Sequence, residues 1–361
     1  MKFIGVDKRY VTSLAMVWVC VLVSGVARAD CTADFDNEFP TFDMGSHYVP
    51  RDAPIGSVIG TASKSYTYSF SGSLRCNRGD TLSTLANWPV VPGIKVPALL
   101  QDGTVFKTNI PGVGMIVESR WLALKGWEVV SGNYSYSPFT IRMTQLNGVI
   151  SFPAVVRFTL VKTSHDIPVG TTKLVNGTSA VRFYSGSKIL FSTFVTGSVI
   201  RSECSLPNTS PGGQTYIDVP MGSVQRREFK GKDSYLDSKA FSIPLTSCVA
   251  GTYPTDQSWN FYENSNVNIK FEGAGGSAII DAARGIVGLT TDSTAKGVAV
   301  QIMRKDGVTA LKLNEDVPLA QIKGISMSID LKARYIQTSD SPMGPEPGVA
   351  NAKAAFSVTY K

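Results

Sequence analysis

The sequence contains very little histidine and almost no pattern typical of a helix. Its 361 residues include two histidines, His47 and His165, and five cysteines. The motifs G-x-S-x-G and H-E-x-x-H are absent, as is a glycine-rich loop between a strand and a helix. No C-x-x-C pair is present, which argues against a zinc site. These absences predict a protein that is not an enzyme and binds no cofactor or metal ion. The alternative is a secreted hydrolase with a carboxylate pair, which has no fixed spacing in a sequence.

The first 29 residues are predicted to be a secretory signal peptide. Basic residues precede an apolar run over residues 11–26, and the sequence Ala-Arg-Ala at residues 27–29 has the small-x-small pattern of a cleavage site. The alternative is a membrane anchor, but the run is short for a span of about 20 residues. Removing residues 1–29 takes away four basic residues and one acidic residue, which lowers the formal net charge from +7 to +4. The remaining basic residues are scattered, so nucleic acid is not an expected partner.

Four cysteines remain in the predicted mature chain, and an even number in an exported protein indicates disulfide bonds. Cys31 and Cys76 lie in the first half of the chain, and Cys204 and Cys248 lie in the second half at nearly the same spacing. Four cysteines allow three connectivities, and reduced thiols are a further alternative. The simplest prediction is one bridge in each half.

Short runs of alternating apolar and polar residues recur along the chain. They are separated by turn residues about every 8–12 positions, which predicts an all-β protein made of sandwiches. The clearest runs are residues 154–161, 189–195, 241–245, 267–271, 297–303 and 325–335. A Pro- and Gly-rich stretch over residues 204–214 indicates a boundary, and the linker is expected just before it, around residues 196–201, because Cys204 should belong to the second domain. Each half is then large enough for its own core. We therefore expect an N-terminal domain over residues 30–198 and a C-terminal domain over residues 199–361.

The last fourteen residues, GVANAKAAFSVTYK, have the pattern of a β-strand with one apolar face. Small or aromatic apolar side chains fall at every second position from Ala350 to Tyr360. The other characteristic stretches of the second half are residues 216–224, 241–248, 267–273 and 297–302, together with Gly348 and the penultimate Tyr360. This combination resembles the pilin domain of chaperone–usher fimbriae in Gram-negative bacteria. Residues 45–59 resemble the start of two-domain fimbrial tip adhesins, including the type 3 kind.

The resemblance implies two immunoglobulin-like β-sandwiches in tandem, of which the C-terminal one lacks its last strand. A periplasmic chaperone would fill the resulting groove first, and at the outer-membrane usher the adjacent fimbrial subunit would then donate its N-terminal strand. The alternative is an ordinary edge strand in a complete sandwich. The residues implied in the groove or in chaperone recognition are Ile217, Val219, Ala352, Ala354, Phe356, Val358, Tyr360 and Lys361.

The resemblance also implies export through the periplasm to the tip of a fimbrium on the cell surface. About 170 residues of the predicted mature chain precede Cys204, which leaves no room for a free donor strand and favours the tip position. The N-terminal domain would then bind a host glycan or a matrix protein such as collagen. The alternative function is a minor adaptor or capping subunit without receptor binding.

The candidate receptor residues are aromatic and polar side chains in loop-like sequence, because glycan sites combine aromatic faces with nearby polar groups. Core packing is the alternative for each aromatic residue, and Trp121 and Trp127 are expected in the core. The candidates are Trp88, Asp102, Asn133, Tyr134 and Tyr136.

Overall fold

The structure is a computed structural model, and the part of the chain that it describes is mostly β-strand. The described residues are 30–33, 41–62, 73–86, 88–97, 104–121, 126–133, 136–145, 148–151, 154–174, 181–208, 214–251 and 265–361. The predicted signal peptide lies outside these ranges. Within them the only helix is a short 3-10 turn at Arg226–Glu228, and no helix is long and apolar enough to cross a membrane. The prediction of an all-β protein is confirmed.

The first half of the chain carries strands β1 to β14 within the described residues. Their bounds are β1 (Thr32–Ala33), β2 (Thr41–Pro50), β3 (Val58–Ala62), β4 (Ser73–Cys76), β5 (Thr81–Ala86), β6 (Phe106–Lys107), β7 (Val113–Trp121), β8 (Trp127–Asn133), β9 (Tyr136–Met143), β10 (Gly148–Ser151), β11 (Ala154–Lys162), β12 (Gly170–Leu174), β13 (Val181–Ser185) and β14 (Lys188–Ser202). A small sheet has the order β1-β4-β10. The large sheet has the order β12-β14-β13-β5-β9-β7-β11-β3, with β2, β6 and β8 added to β14, β7 and β9.

The long strand β14 belongs to two parts of this large sheet. Its first residues pair with β13, and its later residues pair antiparallel with β12 and parallel with β2. The predicted boundary between residues 198 and 199 falls inside this strand. That boundary remains a prediction.

Alternation of side chains explains how the first half forms its core. In β9 the buried positions Phe139, Ile141 and Met143 alternate with more exposed ones, as expected for a strand with one face on a core. Phe158 of β11 is fully buried and packs edge-on against Phe42, with ring centroids 5.0 Å apart. The N-terminal half therefore has a hydrophobic core of its own.

The second half forms two sheets. Its strands are β15 (Lys239–Leu245), β16 (Asn266–Gly273), β17 (Ile279–Asp281), β18 (Ile286–Val287), β19 (Val298–Arg304), β20 (Val317–Gln321), β21 (Met327–Gln337) and β22 (Ala354–Tyr360). One sheet has the order β15-β21-β19-β18-β17 and the other has the order β20-β16-β22. Residues of both sheets, among them Ile243 and Ile269, pack into one hydrophobic cluster. The arrangement is a β-sandwich in which β22 lies at the edge of the smaller sheet.

Each half contains one disulfide bond. The bonds are Cys31–Cys76 and Cys204–Cys248, which confirms the simplest of the predicted connectivities. All four cysteines are buried in the core of their own half. Each bond closes a loop of similar length, for which the loss of unfolded-state entropy stabilises the fold by about 4 kcal/mol.

We expect Phe158→Ala to destabilise the N-terminal half by about 3–5 kcal/mol, because it leaves a cavity beside Phe42 in a closely packed core. Urea unfolding of the full chain measures the effect. Val169→Ala is the matched control, since Val169 is 69% exposed. Equal unfolding midpoints for the two variants would contradict the assigned core.

Candidate strand-binding groove

A long groove opens between two extended walls in the second half of the chain. One wall is formed by residues 214–224 and the other by residues 345–356, and the groove has a volume of about 1540 Å³. Side chains of residues 214–221 alternate between exposed and half-buried, and residues 214–224 take part in no sheet of the described chain. The second wall runs into β22, which is the last strand of its sheet. The groove therefore lies where one more strand would complete the sandwich.

The floor of the groove is the apolar interior of the sandwich. It is lined by Phe241 and Ile243 of β15, by Val298 and Val300 of β19, and by Tyr335 of β21. The apolar floor lies between the two walls and offers a continuous hydrophobic surface along the groove. The site is thus suited to an extended chain with apolar side chains at alternate positions.

The second wall shows a regular division of its backbone groups. Val349 and Asn351 accept hydrogen bonds from the loop at residues 290–295, and Lys353 accepts one from Ala274. Lys361 exchanges two hydrogen bonds with Asn266 of β16. Odd-numbered residues from Val349 to Lys361 thus bond inward, and the even-numbered residues of β22 direct their N–H and C=O groups away from β16. The carbonyl of Ala350 accepts a 2.9 Å hydrogen bond from the Tyr335 hydroxyl.

Gly348 lets the second wall approach the loop at residues 290–295. A Cβ atom at this position would lie 2.5 Å from the nitrogen of Ala295 and 2.6 Å from the carbonyl carbon of Thr294. Both are backbone atoms, which a side chain could not displace cheaply. The glycine singled out in the sequence therefore has a close-approach role.

The predicted groove residues divide into two groups in the structure. Ile217, Val219, Ala352, Ala354 and Phe356 line the groove. Phe356 also packs against Phe271 of β16, with ring centroids 5.9 Å apart.

The other predicted groove residues lie beyond the groove lining. Val358 and Tyr360 are buried in the core, and the Tyr360 hydroxyl donates a 2.9 Å hydrogen bond to the carbonyl of Cys204. Burial raises the pKa of this hydroxyl to about 12. The Lys361 side chain is paired with Asp316.

A turn from the first half of the chain contacts the end of β22. The Asp52 N–H donates to the Tyr360 carbonyl at 3.0 Å, and the Tyr360 N–H donates to the Asp52 carboxylate at 2.9 Å. Arg51 donates to the Val358 carbonyl at 2.8 Å, and its guanidinium lies 4.7 Å from the centre of the Tyr360 ring. Sequence reasoning missed this contact, because nothing in the local sequence indicates a partner some 308 positions away.

Charged groups surround this turn. Arg51 forms ion pairs with Asp52 at 2.9 Å and with Glu203 at 3.5 Å. The buried Lys162 donates a 2.5 Å hydrogen bond to the Arg51 carbonyl. Burial lowers the pKa of the Lys162 amine to about 8. The charge of Asp52 opposes this lowering of the pKa, and the charges of Arg201 and Arg51 add to it. The junction between the halves is therefore polar.

Of the candidate receptor residues that the structure describes, Asn133 and Tyr136 are neighbours, whereas Trp88 packs elsewhere. Trp88 and Trp127 are partly buried and pack against the same core cluster. Tyr136 is also partly buried and packs against a different cluster. Asn133 lies opposite Tyr136 in the pairing of β8 with β9. Asp102 and Tyr134 lie outside the described residues. Trp127 packs against the core, where it was expected. The receptor role of the five candidate residues remains a prediction.

Comparison with known proteins supports the interpretation of the second half. The family model described as fimbrial protein matches residues 194–361. We refer to residues 194–361, which this model matches, as the fimbrial domain. This fimbrial domain contains both walls of the groove, the second disulfide bond and the whole of β22.

Individual relatives extend the similarity to the first half. The chain is 24% identical over 327 residues to a fimbria adhesin protein of Klebsiella pneumoniae, covering 88% of this chain and 89% of that relative. It is 28% identical over 167 residues to a type-1 fimbrial protein subunit of Serratia marcescens, covering 46% of this chain and 84% of the relative. The crystal structure of the CupB6 tip adhesin from Pseudomonas aeruginosa is 17% identical, with coverage of 91% and 94% and a TM-score of 0.36. The resemblance to two-domain fimbrial adhesins is confirmed. The prediction that the chain is not an enzyme agrees with this family of structural and adhesive proteins.

We expect the stability of the N-terminal half to rise between pH 8 and pH 10. In that range the folded protein has already released the Lys162 proton, whereas the unfolded chain still binds it up to its ordinary pKa of 10.5. Unfolding therefore takes up a proton, and each pH unit adds at most about 1.4 kcal/mol. Urea unfolding of the full chain at pH 7.5 and pH 9.5 measures the gain.

Lys162→Met removes this titration and is expected to lose about 1–2 kcal/mol of the pH-dependent gain. Lys173→Met is the control, because Lys173 is exposed on β12. The same pH dependence in wild type and Lys162→Met would show that the amine is not responsible.

Proposed function

We propose that this fimbrial protein is an adhesin whose groove accepts a β-strand from another protein. The observation that carries the proposal is a groove with two walls and an apolar floor, and among the described residues no strand lies between the walls. An uncovered sheet edge beside an apolar cleft is a liability in water, since it invites non-specific pairing. A partner strand would satisfy the backbone groups of β22 and cover the apolar floor at the same time.

Two partners would occupy the groove in succession. During export a periplasmic chaperone would supply the first strand, and at the outer-membrane usher the adjacent fimbrial subunit would replace it with its own N-terminal strand. The alternation of Ala352, Ala354 and Phe356 along the second wall supports a fixed register, because a slip by one residue would turn every partner side chain away from the floor. The chaperone would also hold the carboxylate of Lys361.

The proposed domain division is residues 30–198 for receptor binding and residues 199–361 for assembly. Support comes from the separate hydrophobic cores of the two halves and from the similarity of the whole chain to a fimbria adhesin protein. The receptor would be a host glycan or a matrix protein, bound by a chain at the fimbrial tip. An adaptor or capping subunit is the second candidate, favoured by the packing of Trp88 and Tyr136 against the core.

We expect Phe356→Asp to abolish copurification of the chain with the periplasmic chaperone of its own fimbrial system. The substitution places a charge on the groove wall, where a partner strand would have to bury it. Ile325→Asp is the matched control, because Ile325 is 83% exposed and lies outside the groove. Undiminished chaperone capture by Phe356→Asp would show that the groove is not the recognised element.

We expect the full chain, stabilised by a bound strand, to bind a defined set of ligands on an array of host glycans and matrix proteins. The fimbrial domain carrying the same strand is the control that separates binding by the first half from binding by the second. Binding by neither protein on the array would favour the adaptor or capping role.

A further inference from the structure

We propose that Arg51 and Asp52 form a stop that determines how far a partner strand extends along β22. The proposal rests on the proposed function, in which the groove accepts a strand. It concerns the end of the strand-binding edge, which the first half of the chain covers. The stop would set the length and the register of the strand that fits.

The hydrogen bonds of β22 show where the available edge ends. Ala354 and Phe356 of β22 direct their backbone N–H and C=O groups away from β16 and toward the groove. Ala352, Ala354 and Phe356 lie along the groove lining. Beyond them, the Arg51 guanidinium donates to the Val358 carbonyl. The Asp52 N–H donates to the Tyr360 carbonyl, and the Asp52 carboxylate accepts from the Tyr360 N–H.

The geometry of Asp52 imitates a strand partner. Its N–H and its carboxylate bind the carbonyl and the N–H of one residue, as a paired residue of an antiparallel strand would do with its backbone. The end of β22 is therefore satisfied without any partner. From Phe356 to Tyr360 a strand rises by about 13 Å, which is the length of edge that the stop withholds.

The stop is fixed from several directions. The Arg51 N–H donates to the Ser202 carbonyl at 3.1 Å, and the Lys162 amine donates to the Arg51 carbonyl at 2.5 Å. Glu203 pairs with the Arg51 guanidinium and also with Arg201. A partner strand that continued past Phe356 would have to break this network as well as displace Asp52.

The test uses synthetic peptides with valine and threonine alternating, from five to thirteen residues long, flanked by lysines for solubility. The full chain is refolded with each labelled peptide, and the half-life of exchange against unlabelled peptide is measured. For the wild type we expect the half-life to increase with length and then to become constant, once the peptide fills the edge up to Phe356. Because the peptide is repetitive, it can slide to its best overlap, so the constant value reports the length of the available edge.

Arg51→Ala/Asp52→Ala removes the guanidinium and the carboxylate but keeps the Asp52 N–H on the Tyr360 carbonyl. It is therefore expected to move this plateau about two residues further, to Val358, and to lengthen the half-life of the longest peptides about tenfold, because additional backbone hydrogen bonds form. Asp52→Ala alone keeps the test valid if the double variant does not fold, and a smaller shift in the same direction is expected. Asp52→Asn retains an acceptor for the Tyr360 N–H and should keep the wild-type plateau. Asp233→Ala/Arg284→Ala removes an exposed ion pair outside the groove lining and serves as the control.

The outcomes separate this proposal from the proposed function. An identical plateau in wild type and in the Arg51 and Asp52 variants would overturn the stop while leaving strand binding intact. Failure of every peptide to bind any form of the chain would overturn strand binding and the stop together. A shifted plateau in the control pair would show that the shift is not specific to the turn, which also overturns the stop.

Discussion

The free edge of β22 is the constraint on which the second half of the chain depends. A strand at the edge of a sheet carries backbone groups that must be paired, covered or left in water. Here the inward groups of residues 349–361 are satisfied by a loop and by β16. The outward groups of Ala354 and Phe356 face a groove with an apolar floor, while those of Tyr360 and the Val358 carbonyl are bound by Arg51 and Asp52. The opposite wall, residues 214–224, lies in no described sheet. The two sheets thus leave an apolar groove beside β22, which under the proposed function holds one more strand.

The strands and the disulfide bonds could be predicted from the sequence because their causes are local. Alternation in residues 154–161 and 267–271 corresponds to β11 and β16, and the clustering of cysteines by half corresponds to the two bonds found. The groove itself followed from a resemblance, since a missing strand leaves no residues in the sequence to detect. Ala352, Ala354 and Phe356 line it as the alternation indicates.

The end of β22 and the receptor site could not be predicted in the same way. Val358 and Tyr360 continue the alternation of the groove residues, but their side chains reach the core and the junction with the first half. The end of the strand lies beside Arg51 and Asp52 and no longer beside the groove. These two residues are far away in the sequence. The receptor candidates were chosen by residue type, and residue type does not distinguish an exposed aromatic side chain from one that packs on a core.

The turn at Arg51 and Asp52 limits how independently the two halves can evolve. A chimera that joins a different N-terminal half to this fimbrial domain would lose the groups that hold Tyr360, the Val358 carbonyl and Glu203. Its terminal strand would then expose backbone groups that the native chain covers. Changes to the first half are therefore least disruptive when they are confined to loops remote from this turn, so that those loops can vary while the junction is retained.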